Sequence, residues 1–397
     1  MKIAFVNTEF LPVPPIRGGA VEEWIDRTAH ELSKHDVFVF SIYDQDLPES
    51  AINRHVQYRH FKPGMFAKAL LSTYKLPFKN SQTALYYWPY SSWCARQLRS
   101  IAPDVIHVHN RPQFINVIRK QNPKAKIILH VHQQSVLDEK VIWTQELIGK
   151  IDMFIGCSQF MADQIVQKLG VAASKVKVAY NAIDMKDYSP VWQASDQRKL
   201  FRQKLDVKED RVVLYVGRLA ENKGVHLLVQ AVKELVLSGY ESLKLVVCGA
   251  RGYANREITP YVQELYDAAA NVKDNILFQG YVPHTDIHDF YLASDAVVVP
   301  SEVDEGFCLI TIESMASGVP LFVTQRGGMP EIVEKHGTVI SDVTVEGIKK
   351  ELKKFLDTPE IFSENVKNAR KYVLDKFTWG QVTENLEKKY EELVRNA

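Results

Sequence analysis

A chain of 397 residues that is 46% hydrophobic, 24% charged and 10% aromatic has the profile of a globular enzyme, and it is long enough for two domains. A formal net charge of +1 singles out no class of partner, and no run approaches the roughly 20 apolar residues that span a bilayer. Four scattered cysteines (Cys94, Cys157, Cys248, Cys308), with no Cys-x-x-Cys, argue against a disulfide framework or a structural zinc site and favour a reducing, cytoplasmic setting.

Lys2–Asn7 (KIAFVN) reads as a buried strand at the very start, where a signal peptide would need a longer apolar core and a cleavage site. A Pro/Gly loop follows, then a helix from about Ala20 to Lys34. Further strands are expected at Val37–Ile42, Val105–His109, Ile127–Val131 and Met153–Cys157. The rhythm breaks at Asp184–Ala194 (DMKDYSPVWQA). It then resumes with Val212–Val216, Leu243–Cys248, Ile276–Gln279, Ala296–Val299 and Leu321–Thr324. Strands that alternate with helices and are apolar throughout, such as VVLYV, predict two parallel sheets covered on both faces, hence two doubly wound α/β domains. An amphipathic helix over about Thr378–Arg395 ends the chain.

From Ser50 through Pro103 there is no Asp or Glu, while Arg54, Arg59, Lys62, Lys68, Lys75, Lys79, Arg96 and Arg99 alternate with aromatic residues. Three readings stay open for the stretch 54–99: ordinary surface, nucleic-acid contact, or a seat for an anionic, membrane-borne acceptor. No nucleic-acid motif accompanies it, and Met65–Lys79 is short, apolar and cationic, as interfacial helices are.

The chemistry concentrates at the ends of expected strands. In PSEVDEGFCLITIESMASGVP (300–320), Glu305 and Glu313 stand eight apart around a Gly turn that opens a helix. One carboxylate suits sugar hydroxyls, the other ribose hydroxyls, and the helix N-terminus between them suits a diphosphate. The spacing alone is weak, since Glu23/Glu31 and Glu384/Glu392 share it on helix surfaces. In LYVGRLAENKGVHLLVQAV (214–232) a strand ends at Gly217, and Arg218 and Lys223 follow. Two cations there suit a pyrophosphate leaving group; a solvated loop is the plainer reading. PPIRGGA (14–20) contains Arg17, Gly18 and Gly19 and is neither Gly-x-Gly-x-x-Gly nor a Walker loop, so it reads as a turn or as a phosphate cradle. The pairs His107/His109 and His130/His132 each point to one strand face. With no carboxylate companion they read as structural groups and no metal site is expected. Asp44 and Asp46 read as a solvated loop.

These strings resemble the family 4 retaining glycosyltransferases of GT-B fold, whose signature is Glu-x7-Glu followed by a small-residue Gly-Val-Pro turn. RGGAVEEWI, NPKAKIILHVHQ, GRLAENKGVHLLVQAVKEL, DFYLASDAVVVPSEVDEGFCLITIESMASG and the terminal FTW are similar to bacterial lipopolysaccharide-core 1,2-N-acetylglucosaminyltransferases. NRPQF and SPVW are shared with spore-coat glycosyltransferases. The resemblance implies two Rossmann-like domains facing across a cleft: an acceptor-binding domain over 1–185 and a nucleotide-sugar domain over 186–377, with the helix 378–397 returning toward the first. It implies that Arg218, Lys223, Glu305 and His132 act on the transferred group, His132 near the sugar C6 hydroxyl. Gly18, Gly19, Gly217, Val282, Gly306, Phe307, Cys308, Leu309 and Glu313 would bind the donor, and Arg17, Ser158 and Asn181 the acceptor. The family usually has Gly where Cys308 and Ala182 stand.

The implied reaction moves a hexose or N-acetylhexosamine, with UDP-N-acetylglucosamine as first donor, to a cell-envelope saccharide or glycolipid such as lipopolysaccharide core. A spore-coat or capsule acceptor and a nucleotide-sugar epimerase are the alternatives. No metal or other cofactor is expected, no nucleic-acid partner, and a cytoplasmic location that extends to peripheral contact with the inner membrane face. An NAD-dependent oxidoreductase would need a Gly-x-Gly-x-x-Gly, which is absent.

Overall fold

Runs of Val, Ile and Phe build two sheets, each in its own unit. The computed structural model describes residues 1–65, 67, 84–138, 143–250 and 258–395. The chain divides into one unit of residues 1–181 with 379–397, and a second of residues 182–378.

The first unit runs β1 (Lys2–Val6), α1 (Ala20–Glu31), β2 (Asp36–Ile42), β3 (Ser50–Asn53), β4 (Val56–Phe61), α2 (Ala84–Ile101), β5 (Val105–His109), α3 (Ile115–Gln121), β6 (Lys126–Val131), α4 (Gln145–Gly149), β7 (Met153–Gly156), α5 (Gln159–Leu169) and β8 (Val176–Val178). Its sheet has the order β3-β4-β2-β1-β5-β6-β7-β8, parallel except for the edge strand β3. Ile3 pairs with Val37 on one side and Val105 on the other, so chain order reverses between β1 and β5. Strand β5 is buried along its whole length, His107 and His109 included.

The second unit runs α6 (Ser195–Lys204), β9 (Arg211–Val216), α7 (Val225–Leu237), β10 (Leu243–Cys248), α8 (Pro260–Ala269), β11 (Ile276–Gly280), α9 (Ile287–Ala293), β12 (Ala296–Val299), α10 (Leu309–Ser317), β13 (Leu321–Thr324), α11 (Met329–Val333), β14 (Thr338–Ile340), α12 (Val345–Asp357), α13 (Pro359–Ser363) and α14 (Val366–Lys376). Its parallel sheet has the order β11-β10-β9-β12-β13-β14. Val213, Leu245, Val298 and Phe322 from the strands, Leu228 and Leu235 from α7 and Ile348 and Phe355 from α12 share one core. The order reverses between β9 and β12, and ligands of such sheets lie beyond the carboxyl ends at that reversal. The terminal helix α15 (Trp379–Arg395) belongs to the first unit: its buried Tyr390 bonds His107, and Glu387 meets His35 at 2.8 Å.

The strands read from sequence occur within a residue of their expected ends, while β3, β4, β8 and β14 were not foreseen. Strand β4 and helix α2 also revise the picture of the basic aromatic stretch. Tyr58, Phe61 and Tyr90 are buried core, and Trp93 packs against Phe40 and Phe61, leaving Trp88 half exposed at the surface. Among the described residues, Tyr58, Phe61 and Tyr90 thus face the core while Arg54, Arg96 and Arg99 stay outside. Apart from residues 65 and 67, the segment Met65–Lys79 lies outside the described residues. Among the described residues no helix is long and apolar enough to cross a membrane.

Candidate active site

The reversal point of the second sheet gathers the acidic and basic residues singled out above. Strand β9 is followed by Gly217, whose φ of +151° suits Gly, and the Tyr215 hydroxyl donates to the Arg218 carbonyl at 2.8 Å. A Cβ on Gly249, at the end of the neighbouring β10, would fall 1.9 Å from the Gly217 carbonyl oxygen, so the two strand ends close only as glycines. Beyond them lies a pocket of about 360 Å³ walled by Gly217, Arg218, Cys248, Gly249, Ala250, Tyr281, Val282, His284, Ile287, Ile310 and Glu313. Arg218 is exposed at its rim and makes no ion pair among the described residues. Glu313 is 5% exposed at its floor. The Tyr291 hydroxyl donates to Glu313 Oε2 at 2.6 Å, and His284 Nε2 stands 3.6 Å from Oε1. Burial beside that carboxylate pushes the Tyr291 phenol well above its usual range, so it remains a donor.

Lys223 and Glu305 meet beside the pocket. Lys223 Nζ donates to Glu305 Oε1 at 2.6 Å, and Ser301 Oγ donates to the same oxygen at 2.6 Å. Lys223 is placed by Gly224, whose φ of +66° and missing Cβ let the chain pass against the Pro300 carbonyl at the end of β12. Glu305 is held by a loop of distant sequence. Gly328 N donates to the Glu305 carbonyl at 2.7 Å and Gly327 N to Asp304 Oδ1 at 2.9 Å.

The turn Gly306–Cys308 leads into α10, which begins without a side-chain N-cap. Its first amides point where anions bind. Cys308 has φ +74°, a conformation that favours glycine, which accounts for the glycine usual in the resembling family and marks local strain. Its thiol lies within electrostatic reach of Glu305, Lys223 and Glu313, and burial first, then the glutamates, push it upward, keeping it protonated. Leu309 begins α10, and the Phe307 ring is buried against Phe377 at 5.8 Å, leaving only its backbone to face a ligand.

The remaining site residues stand in the first unit. Gly18 and Gly19 have φ +77° and +114°, and Gly19 caps α1 with Glu22 against it. Arg17 forks onto Asp44 (3.0 and 2.8 Å) and Asp46 (2.5 Å), so both carboxylates of the Asp-x-Asp pair with one arginine. Ser158 is fully buried and caps α5, accepting from Met161 N at 3.1 Å. Asn181 keeps a buried Oδ1 without a partner among the described residues. His132 Nε2 lies 2.9 Å from His109 Nδ1, and burial pushes its imidazole down to about 3, so it is neutral. Sequence reading missed Tyr291, Ser301 and Gly249. The clasp on Glu305 was not foreseen either, because nothing local ties residues 327–328 to 304–305.

Residues 18–187 match the family described as Glycosyltransferase Family 4, and residues 196–372 match Glycosyl transferases group 1. Spore coat protein SA of Bacillus subtilis is 30% identical over 399 residues, covering 98% of this chain and 99% of that protein. The lipopolysaccharide 1,2-N-acetylglucosaminetransferase of Salmonella typhimurium is 30% identical over 405 residues, covering 100% of this chain and 98% of that one. The crystal structure of Anabaena Alr3699/HepE in complex with UDP is similar in fold, with a TM-score of 0.75 at 20% identity, covering 99% of this chain and 100% of that one. With relatives of this identity along its whole length, and a fold shared with GT-B enzymes, the chain belongs to the family 4 glycosyltransferases.

Proposed function

We propose that the protein is a retaining glycosyltransferase that moves a hexose or N-acetylhexosamine, with UDP-N-acetylglucosamine as first donor, onto a cell-envelope saccharide such as lipopolysaccharide core. The observation that carries this reading is the pocket at the ends of β9 and β10, floored by the Tyr291-held Glu313 and edged by Arg218. Glu313 accepts the ribose hydroxyls; Arg218 and Lys223 take the diphosphate; Glu305 takes the sugar hydroxyls. The apolar walls Val282, Ile287 and Ala250 suit a flat base. The leaving diphosphate itself receives the proton of the incoming hydroxyl on the same face of the sugar, so no enzyme nucleophile and no metal is needed. Each cation then contributes on the order of 10²–10³ in rate. His132, neutral, bonds the sugar hydroxyl, and the first unit holds the acceptor through Arg17 and Asn181, while Ser158, fully buried, caps α5 and does not touch it. The protein works in the cytoplasm, and the cations of 54–99 meet an anionic inner membrane face that carries a glycolipid acceptor.

Support comes from the Salmonella relative named for N-acetylglucosamine transfer and from the UDP held by Alr3699/HepE. The spore coat relative of equal identity favours a second acceptor class, a spore-coat or capsule polysaccharide. A thermal-shift screen of nucleotide sugars, followed by acceptor assays and anomeric analysis of the product by NMR, tests the proposal. UDP-N-acetylglucosamine should stabilise the protein most and the product should keep the donor's anomeric configuration. Inverted product, or stabilisation by no nucleotide sugar, overturns it.

A further inference from the structure

The first unit contains a histidine cluster that sugar transfer does not use. His107 and His109 on β5 and His130 on β6 are fully buried, and the sheet register places His109 beside His130. One ring nitrogen from each lies within 4.8 Å of the other two. The ring centroids are 4.5, 5.2 and 5.3 Å apart, and Trp24 packs against all three at 4.8–5.6 Å.

Hydrogen bonding within the cluster is one-sided. His107 Nδ1 shares a 2.5 Å bond with the Tyr390 hydroxyl, and His109 Nδ1 a 2.9 Å bond with His132 Nε2. In both rings Nε2 is buried without a partner among the described residues, and in His130 neither nitrogen has one. Four unpartnered nitrogens in one apolar chamber are rare, because each carries its full desolvation penalty. A ring held through Nδ1 by a neighbour, with the lone pair of Nε2 left open, is how proteins orient histidine toward a metal.

We propose that His107, His109 and His130 bind one late first-row transition-metal ion that ties β5 to β6 and, through Tyr390, to the terminal helix α15. A set of imidazoles without carboxylate or thiolate selects zinc, copper, nickel or cobalt over magnesium, calcium or manganese. Metal–nitrogen distances of about 2.0–2.1 Å require the ring nitrogens to close to roughly 3.4 Å from one another, and His107 and His109, stacked here at an interplanar angle of 11°, to turn until both lone pairs aim at one point. The ion is structural: it lies within the first unit, one hydrogen bond from His132.

The full-length protein, stripped with chelator and dialysed against Zn²⁺ or Co²⁺, tests the site by metal analysis, calorimetric titration, cobalt visible absorption and thermal melting. The wild type should retain one ion per chain, show the d–d bands of nitrogen-ligated cobalt and melt higher with zinc. His130→Leu should weaken binding at least about a hundredfold, and Tyr390→Phe about 10–100-fold. Wild type that retains no ion, or His130→Leu that retains as much, overturns the proposal. If His130→Leu fails to fold, anomalous diffraction at the zinc edge from wild-type crystals decides. A peak among the three rings supports the site, and water there or a peak elsewhere refutes it.

Discussion

Replacing Gly327 with alanine tests whether the loop clasp holds Glu305. Gly327 has φ +57°, and an added Cβ would fall 2.2 Å from the Glu305 carbonyl oxygen, 2.5 Å from its nitrogen and 2.9 Å from the Asp304 carbonyl carbon. Ordinary contact requires about 3.4 Å, so the two loops must separate by roughly 1 Å. The left-handed backbone costs an L-residue about 1–2 kcal/mol, and relieving the overlap by a backbone shift about 1–3 kcal/mol more. The combined loss of roughly 2–5 kcal/mol lowers the melting temperature of a unit of this size by about 10 °C. Separation also draws Glu305 away from Lys223 and Ser301, now both at 2.6 Å, and misplacement on that scale costs on the order of 10² in rate. Gly280→Ala is the control for strain alone, since Gly280 has φ +70° and open space where a Cβ would be. The assay pairs thermal melting with initial rates of nucleotide release. Gly327→Ala that melts with the control and turns over within about threefold of wild type would refute the claim that the clasp positions Glu305.

Lys223→Met should fold and lose about 10²–10³ in transfer rate, read by nucleotide release; a near-native rate removes Lys223 from the mechanism. Tyr291→Phe deletes the 2.6 Å donor to Glu313, a bond to a charged group worth roughly 1.5–3 kcal/mol, so it should melt lower and show a donor KM raised about tenfold. An unchanged KM would show that Glu313 needs no such anchor. Glu22 supplies a pH prediction. Burial raises its carboxyl above the usual 4.5, outweighing the hydrogen bond from Asn7. The native state therefore prefers the protonated form, and the stability it confers is full below the unfolded value and is lost as pH rises through the folded one. Glu22→Gln should match wild type near pH 4 and melt higher at pH 7–8 in a calorimetric series; a difference that does not change with pH refutes the assignment.

How much of this was legible in the chain can be judged element by element. VVLYV, KLVVC and AVVV announce strands buried on both faces because a parallel sheet leaves no polar side, and period alone reveals that. Strand β4 was hidden because VQYRHF carries Arg59 and His60, and their solvation or hydrogen bonding depends on neighbours far along the chain. Short edge strands such as β3 and β14 make too little pattern to be read. Arg218, Lys223 and Glu305 each sit beside a glycine at a strand end or helix start, but it was the family resemblance, not that local pattern, that singled them out together with Glu313, which lies within a helix.

What the sequence by itself determined was the class of fold, which follows from local periodicity; the short list of chemical groups came with the family resemblance. Only the tertiary structure decided the partners: which oxygen of Glu305 meets Lys223, that Tyr291 rather than solvent holds Glu313, that Arg17 is committed to Asp44 and Asp46, and that three histidines from two strands share one chamber. Those contacts join residues 22 to 82 positions apart within the second unit, and Arg17 lies 27 and 29 positions from Asp44 and Asp46 in the first. Pairing over such separations is set by sheet order and packing, which no local stretch of the chain encodes.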